Sequence, residues 1–321
     1  MKEIGGYFSS IEMSEFKEEN SECYDTGNSY KYQSSRVGLA MVLQQLKPKR
    51  VLLPKFICDS IVKVVASNSC EIIWYDINES FRPIIDFEDE DSILYVVNYF
   101  GFLNSILTEK NIDLSRVIID NAQGLFIPPN EDALANIYSI RKFLPVSDGG
   151  VVYSSLSLPS YKERFSPIKK HMDIRLQYGA QAGYDDYIKA EKLFDEIKPY
   201  NMSEHSENLV NRINIKRVKQ VRNANFEFLH VNLKNMNRLV LPDVLLSPLC
   251  YPFLGNKGLK IELIKNKIYI PTYWREVESR VSSESWEKEL IDNLVCIPID
   301  DRYDINDMMF ILNVIKNYYS N

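Results

Sequence analysis

Apolar and polar positions along the chain predict a repeating order of strands and helices. From Ser35 to Leu46 the apolar residues fall at three- and four-residue spacings, which indicates a buried amphipathic helix. The apolar segment VLLP (51–54) comes next, followed by a helical stretch from Asp59 to about Ser67 and the strand-like EIIWYDI (71–77). This succession has the length of a parallel β-α-β unit.

The alternation continues to residue 155. Further strands are predicted within SILYVVNYFG (92–101), RVIIDNAQG (116–124), NIYSI (136–140) and GGVVYSS (149–155), with a helix near 104–110. Continuous apolar strands are typical of a sheet that helices cover on both faces. Residues 33–155 therefore predict a mostly parallel α/β sheet, in which ligands bind at the carboxyl ends of the strands.

The two ends of the chain follow other patterns. The opening segment, to about Tyr32, is polar and rich in Gly, Ser and acidic residues, and predicts an irregular arm. Beyond residue 160 the chain becomes helical and charged, with a long helix within 207–233. A helix around 259–267, the strand-like IYIPTYW and LVCIPID, and a terminal helix from Ile305 follow. We predict a large domain over 1–236 and a smaller α+β domain over 237–321.

Composition excludes several classes of protein. The 321 residues are 45% hydrophobic and 26% charged, as in a globular protein, and the net charge of −6 supplies no overall attraction to nucleic acid or anionic lipid. No apolar run approaches the roughly 20 residues of a membrane span. The five cysteines form no CxxC pair and the three histidines show no metal-ligand spacing. With no signal-peptide pattern at the start, we expect a cytoplasmic protein without a metal, a nucleic-acid partner or a membrane partner.

The segment YSIRKFLPVSDGG (138–150) carries the first chemical signal. Lys142 follows a predicted strand and precedes a Gly-Gly turn into another strand. A lysine amine becomes a nucleophile when its surroundings favour the neutral form, and it then forms a Schiff base with a carbonyl. The alternative interpretation is a solvated surface lysine in a hairpin.

Two further signals lie at the ends of other elements. In RVIIDNAQG, Asp120 ends an apolar strand, where a carboxylate is costly unless it meets a cation such as a pyridinium nitrogen or caps an Asx turn. In YQSSRVGLA (32–40), Ser35 and Arg36 open a helix whose free N–H groups and dipole favour an anion. An ordinary serine cap would account for the same pattern.

Together the three signals supply a phosphate-binding helix start, an acid for a ring nitrogen and a lysine, the groups that pyridoxal phosphate requires. The sequence resembles the DegT/DnrJ/StrS family of sugar aminotransferases, which depend on pyridoxal phosphate. The shared motifs run nearly from end to end: IGGYF, SSRVGL, LPKFICDSI, VVNYFG, IIDNAQ, RKFLPVSDGG, YNMSEHS, PTYWREV and IPIDDRY. The resemblance implies the aspartate aminotransferase type fold (fold type I), with a large, mostly parallel α/β/α sheet domain and a small C-terminal α+β domain.

The resemblance also implies roles for individual residues. Lys142 would hold the cofactor covalently, and Asp120 would pair with the pyridinium nitrogen. Gln123, in the D-x-x-Q pattern, would lie against the 3-hydroxyl side of the ring. The backbone N–H groups of Ser35 and Arg36 would hold the phosphate.

Other positions complete or depart from the family pattern. Ser139, three residues before Lys142, would add a hydroxyl to the phosphate site, and Asn201 of a neighbouring subunit would add an amide. The aromatic residue that stacks on the cofactor ring in the family falls at Cys58 here. Three residues are alternatives for that role: Phe56, Tyr99 and Phe100.

The implied reaction is amino transfer from an amino acid, expected to be glutamate, to a keto-sugar. We expect a nucleotide-linked acceptor that serves polysaccharide or secondary-metabolite biosynthesis, and a homodimer with shared active sites. Two alternatives stay open at this point. The first is a pyridoxal phosphate enzyme with a small non-nucleotide substrate, and the second is a catalytically silent binding or regulatory homologue.

Overall fold

The computed structural model describes residues 2–11, 29–85, 91–102, 112–242 and 246–320. Its strands, in chain order, are β1 (Ile4–Gly5), β2 (Ser29–Tyr32), β3 (Arg50–Pro54), β4 (Glu71–Ile77), β5 (Pro83–Ile84), β6 (Ser92–Val97), β7 (Val117–Asn121), β8 (Ala135–Ser139), β9 (Gly150–Tyr153), β10 (Cys250–Leu254), β11 (Ile268–Tyr269) and β12 (Leu294–Pro298). Its helices are α1 (Ser35–Leu46), α2 (Asp59–Ser67), α3 (Lys170–Tyr178), α4 (Tyr184–Lys192), α5 (Glu204–Val210), α6 (Ile215–Leu233), α7 (Leu259–Lys265), α8 (Trp286–Asn293) and α9 (Ile305–Ser320).

Eight strands of the described chain form the central sheet, in the order β2-β9-β8-β7-β6-β3-β4-β5. The neighbours from β4 through β3, β6 and β7 to β8 pair in parallel, whereas β9 is antiparallel to both β8 and β2. Every residue of β6 and β7 is buried, as expected of strands covered on both faces. The mostly parallel α/β sheet predicted from the apolar strands is confirmed.

Local sequence accounts for several element boundaries. Helix α1 begins at Ser35 and ends at Leu46, as its periodicity predicts, and the Ser34 side chain caps it by accepting a hydrogen bond from the Val37 N–H. Helix α2 and strand β4 likewise have the predicted bounds. The helix predicted near 104–110 lies outside the described residues.

Two predictions about the arm and the C-terminal strands were wrong in part. Residues 29–32, which we assigned to an irregular arm, form strand β2 against β9. Their sequence, SYKY, has tyrosines as its only apolar residues, so it lacks the strong apolar pattern of the inner strands. In IYIPTYW only Ile268–Tyr269 form a strand, which pairs in parallel with β1 at the start of the chain.

The C-terminal part shares one buried core with the central sheet and the long helix α6. Strands β10 and β12 pair antiparallel, and Phe226 and Leu229 of α6 belong to the same buried core as Tyr251 and Phe253 of β10. The division at residue 236 stays a prediction. Within the described chain, no helix combines the length and apolar character needed to cross a bilayer.

A close approach of two backbones brings the start of α1 against the start of β9. The Gly149 N–H donates to the Gln33 carbonyl over 2.8 Å. A Cβ atom at Gly150 would lie 2.2 Å from both the Ser34 carbonyl carbon and the Ser35 nitrogen, which no side chain tolerates. Glycine at position 150 therefore permits the contact between these segments.

We predict that Gly150→Ala lowers the free energy of unfolding by about 2–4 kcal/mol, because the added methyl group must displace backbone rather than a side chain. Gly258→Ala is the matched control, since its Cβ would meet the hydroxyl end of the Tyr318 side chain. We expect that control to lose less than about 1 kcal/mol in urea unfolding. Equal losses in both variants would contradict the close-approach explanation.

Candidate active site

The predicted chemical residues meet at the carboxyl edge of the sheet. Asp120 lies at the end of β7, and β8, its parallel neighbour, ends at Ser139 and leads into a short 3₁₀ turn, Ile140–Lys142. Neighbouring parallel strands end at the same edge, so the two chemical signals, distant in sequence, become neighbours. The charges of Asp120 and Lys142 are close enough for each to shift the pKa of the other.

Asp120 is a buried carboxylate with two neutral hydrogen-bond donors. Its Oδ2 accepts from the Tyr95 hydroxyl over 2.8 Å, and its Oδ1 accepts from the Ala122 N–H over 2.8 Å. Burial raises the pKa of Asp120, while the Lys142 ammonium and these two hydrogen bonds oppose the rise. A buried carboxylate held in this way is able to pair with a cationic ligand atom.

Solvent reaches the Lys142 side chain, while many protein atoms lie around its amine. Burial lowers the pKa of Lys142, Asp120 opposes this shift, and the guanidinium groups of Arg141 and Arg36 add to it. A lowered pKa increases the neutral fraction of the amine, which is the form that attacks a carbonyl. The surroundings therefore favour the nucleophilic interpretation of Lys142 over that of a solvated surface lysine.

Residues 139–150, here called the lysine loop, are tied to neighbouring segments at their carboxyl end. The Ile140 N–H donates to the Gly149 carbonyl over 3.1 Å, which closes the loop on itself. Asp148 is fully buried and accepts hydrogen bonds from the Ser203 N–H and from the hydroxyls of Ser203 and Ser206. The acid of the Asp-Gly-Gly motif thus fastens the loop to the start of helix α5.

Two arginines that sequence reasoning did not single out hold the loop elsewhere. Arg141 forms a bidentate ion pair with Glu191 of α4, and its guanidinium lies 4.4 Å from the centre of the Phe194 ring. Arg222 of α6 is buried and donates to the Phe143 carbonyl over 3.1 Å. Its position on the apolar stripe of α6 was a readable signal, because a charged residue there must find buried partners.

The start of α1 supplies backbone donors beside the lysine loop. Ser35 and Arg36 carry the first N–H groups of the helix, which have no acceptor within the helix itself. The Arg36 side chain is directed elsewhere, donating to the Phe194 carbonyl over 3.0 Å and approaching Asp195. The Arg36 guanidinium thus has partners of its own, and the predicted contact of the Ser35 and Arg36 N–H groups with a phosphate stays a prediction.

Gln123 and Ser139 are both buried at this edge. The Gln123 side-chain oxygen accepts from the Phe100 N–H over 2.9 Å, where Phe100 has a left-handed backbone with φ of 59°. Gln123 thus stabilises the turn after β6, and only its amide nitrogen is able to donate to a ligand. Ser139 is the last residue of β8, and its predicted contact with a phosphate stays a prediction.

Asn201 is engaged within its own chain. Its amide nitrogen donates to the Tyr161 carbonyl over 2.5 Å, and its oxygen accepts from the Tyr161 N–H over 3.3 Å. Its predicted contact with the phosphate of a neighbouring subunit stays a prediction. Across the described ranges, no group of three or more His, Cys, Asp or Glu side chains is placed to hold a metal ion.

A half-buried thiol, Cys58, occupies the position that the resemblance assigns to the ring-stacking aromatic. Cys58 precedes α2, its Sγ lies 2.9 Å from the Ser60 hydroxyl oxygen, and it interacts electrostatically with Lys142. Phe56 packs on Tyr99 and Trp274 with ring centres 5.7 and 4.9 Å apart. The Tyr99 hydroxyl donates to the Phe56 carbonyl, so these rings form one fixed aromatic cluster.

The architecture agrees with that of known enzymes. The aminotransferase TlmJ from Streptoalloteichus hindustanus superposes with a TM-score of 0.66 at 12% identity, over 91% of this chain and 86% of that one. A DegT DnrJ EryC1 StrS aminotransferase from Brucella abortus gives 0.59 at 14% identity, over 91% and 86%. The chain has the fold of these aminotransferases.

A third similar structure is the E. coli GDP-4-keto-6-deoxy-D-mannose-3-dehydratase with bound hydrated PLP, with a TM-score of 0.61 at 12% identity over 89% of this chain and 87% of that one. Comparison of the sequence with protein-family models finds no match, and comparison with curated proteins finds none either. The fold implied by the motifs is confirmed by structure, whereas the residue roles stay predictions.

We predict that Lys142 reacts with acetic anhydride at a lower pH than Lys288, because burial lowers the pKa of Lys142 whereas hydrogen bonds to Asp292 and Glu278 raise that of Lys288. Competitive labelling followed by peptide mass spectrometry measures both lysines in one sample. Asp120→Asn should move the labelling midpoint of Lys142 lower still, since the carboxylate raises its pKa. Unchanged labelling of Lys142 in that variant would contradict the electrostatic contact.

Proposed function

We propose that the protein is a pyridoxal phosphate-dependent aminotransferase that moves an amino group from an amino acid, glutamate in the first instance, to a keto-sugar. The observation that carries the proposal is the meeting of Lys142, Asp120 and the start of α1 at one sheet edge, in the fold of known aminotransferases. We further propose a nucleotide-linked acceptor, because a similar structure is a dehydratase of a GDP-linked keto-sugar. We also propose that the reaction takes place in the cytoplasm.

The residues present fit this cofactor. Lys142 offers an accessible amine of lowered pKa to an aldehyde, and Asp120 offers a buried carboxylate whose hydrogen-bond donors are neutral. The first N–H groups of α1 suit a phosphate. When bound, pyridoxal phosphate acts as an electron sink for the carbanion that forms at the α-carbon of the amino donor.

Each residue then has a defined task. Lys142 would hold the cofactor through its Nζ, and its neutral amine would accept the proton from the α-carbon of the amino donor. Asp120 keeps a proton on the ring nitrogen by pairing its negative charge with it. Ser35 and Arg36 bind the phosphate through their backbone N–H groups, and Ser139 adds its hydroxyl. The amide nitrogen of Gln123 serves the 3-hydroxyl side.

The proposal predicts a two-stage spectral change in protein loaded with pyridoxal phosphate. Glutamate should bleach the visible absorbance, and a nucleotide-linked keto-sugar should restore it. Lys142→Ala should abolish the covalent attachment that borohydride fixes, as read by peptide mapping. Lys260→Ala is the matched control. Burial lowers the pKa of Lys260 to about 8 as well, but Lys260 lies on α7 and not in the lysine loop. Attachment at a lysine other than Lys142 would refute the site.

The acceptor is tested in the same experiment. If a small keto acid or a free keto-sugar restores the absorbance and nucleotide-linked sugars do not, the nucleotide-linked acceptor is refuted. The assignment as an aminotransferase would still hold. Absence of bleaching with every amino donor, in protein that binds the cofactor covalently, would contradict amino transfer itself.

We also propose a two-fold homodimer in which the neighbouring subunit contributes Asn201 to the phosphate site. The exposed apolar side chains on residues 168–193 support an extensive contact surface: Ile168, Leu176, Tyr178, Tyr184, Ile188 and Leu193. To bind the phosphate in a partner subunit, the Asn201 amide nitrogen must give up its hydrogen bond to the Tyr161 carbonyl and donate to the phosphate instead.

Mixing two inactive variants tests the shared site. A dimer of Lys142→Ala and Asn201→Ala chains would contain one site with both residues intact, so we expect activity to return on mixing to about a quarter of wild type, the statistical share. Sedimentation establishes the dimer independently. A fully active monomer would refute the shared site, and a dimer without complementation would refute the role of Asn201.

A further inference from the structure

Tyr95 places a phenol hydroxyl against the candidate carboxylate from the neighbouring strand. In the parallel pair β6 and β7, Tyr95 lies opposite Ile118 and Asp120 opposite Val97, so both side chains share one face of the sheet. The Tyr95 side chain is 1% exposed, and its hydroxyl donates to Asp120 Oδ2 over 2.8 Å. This contact belongs to none of the motifs from which the site was predicted.

Packing alone does not account for a tyrosine at this position. Among Ile93–Val97, an otherwise aliphatic stretch, Tyr95 alone has a polar side-chain atom. A buried hydroxyl costs free energy unless it is hydrogen-bonded, and phenylalanine would fill the same space without that cost. The hydroxyl of Tyr75 donates to the Tyr95 carbonyl over 2.7 Å, which fixes the backbone from which the ring projects.

The charge state of the donor matters as much as its position. Burial raises the pKa of Tyr95 far above its usual range, and the negative charge of Asp120 adds to the effect, so the phenol stays protonated and donates. Arginine or lysine in this place would neutralise Asp120, whereas a neutral phenol stabilises the carboxylate and leaves its charge available. Other titratable and charged groups surround this pair. Lys142 acts on the same carboxylate, and Cys58 and Tyr75 lie near Tyr95. The guanidinium groups of Arg36 and Arg141 lower the pKa of Lys142.

We propose that Tyr95 is a positioning residue that holds the Asp120 carboxylate in one orientation and in its charged form, ready for the cationic ring nitrogen of the cofactor. The inference rests on the proposed function for the identity of that cation. The contact itself, and its effect on Asp120, are properties of the protein without cofactor.

The test compares Tyr95→Phe with Tyr138→Phe. Tyr138 is a suitable control because it is also buried, lies on the adjacent strand β8 and donates to a backbone carbonyl, that of Ile127, over 3.0 Å. In cofactor-free protein with ¹³C-labelled aspartate carboxyls, the Asp120 signal is assigned by its loss in Asp120→Asn. We expect Tyr95→Phe to raise the Asp120 titration midpoint by about one pH unit or more, because a charge-assisted hydrogen bond is lost. Tyr138→Phe should leave it unchanged.

The second measurement uses pyridoxal phosphate labelled with ¹⁵N in the ring. In Tyr95→Phe the nitrogen signal should move toward that of unprotonated pyridine, and turnover should fall by about tenfold or more. Adding Tyr95→Phe to Asp120→Asn should have no further effect on turnover, since the two residues act through one contact.

Equal midpoints of Asp120 in the wild type and Tyr95→Phe would overturn the proposal, as would additive effects in the double variant. Wild-type protein that binds no pyridoxal phosphate would instead refute the proposed function. The carboxyl titration would still decide whether Tyr95 governs Asp120, so the two failures are distinguishable.

Discussion

A carboxylate buried at the end of a central strand costs several kcal/mol of solvation free energy unless its surroundings return it, and the arrangement of this site follows from that cost at Asp120. Two neutral donors, Tyr95 and the Ala122 N–H, supply hydrogen bonds, and Lys142 supplies the opposing charge. Because both hydrogen-bond donors are neutral, neither of them cancels the charge that a cationic ligand would meet. The same proximity keeps the pKa of Lys142 from falling as far as burial alone would take it.

The lysine loop is also held in place by charged residues that take no part in the proposed reaction. Asp148 binds the start of α5, Arg141 binds Glu191 of α4, and Arg222 of α6 binds the Phe143 carbonyl. Each contact joins the loop to a different part of the chain after residue 180. The position of Lys142 is therefore set by the later helices as much as by the sheet, and Gly150 brings the start of α1 into the same assembly.

Hydrogen bonding and close packing explain why some predictions succeeded and others did not. The inner strands and α1 were predictable because continuous apolar runs and helical spacing report burial directly. Strand β2 was missed because an edge strand with the sequence SYKY pairs through its backbone and needs no apolar run. The loop acid Asp148 was noted only as part of a motif, and its partners Ser203 and Ser206 lie more than fifty residues away.

The sequence by itself determined the class of the fold, the order of the inner elements and the three chemical signals at Ser35, Asp120 and Lys142, because each depends on residues close together in the chain. Only the tertiary structure decided that Asp120 and Lys142 interact, that Tyr95 donates to the carboxylate and that Gln123 stabilises the turn at Phe100. These contacts join different strands and loops, and a pattern along one segment carries no information about the distance to another. The physical reason is that such contacts depend on which segments are neighbours in space, and the order of strands in the sheet, set by the tertiary fold, is part of what makes them neighbours.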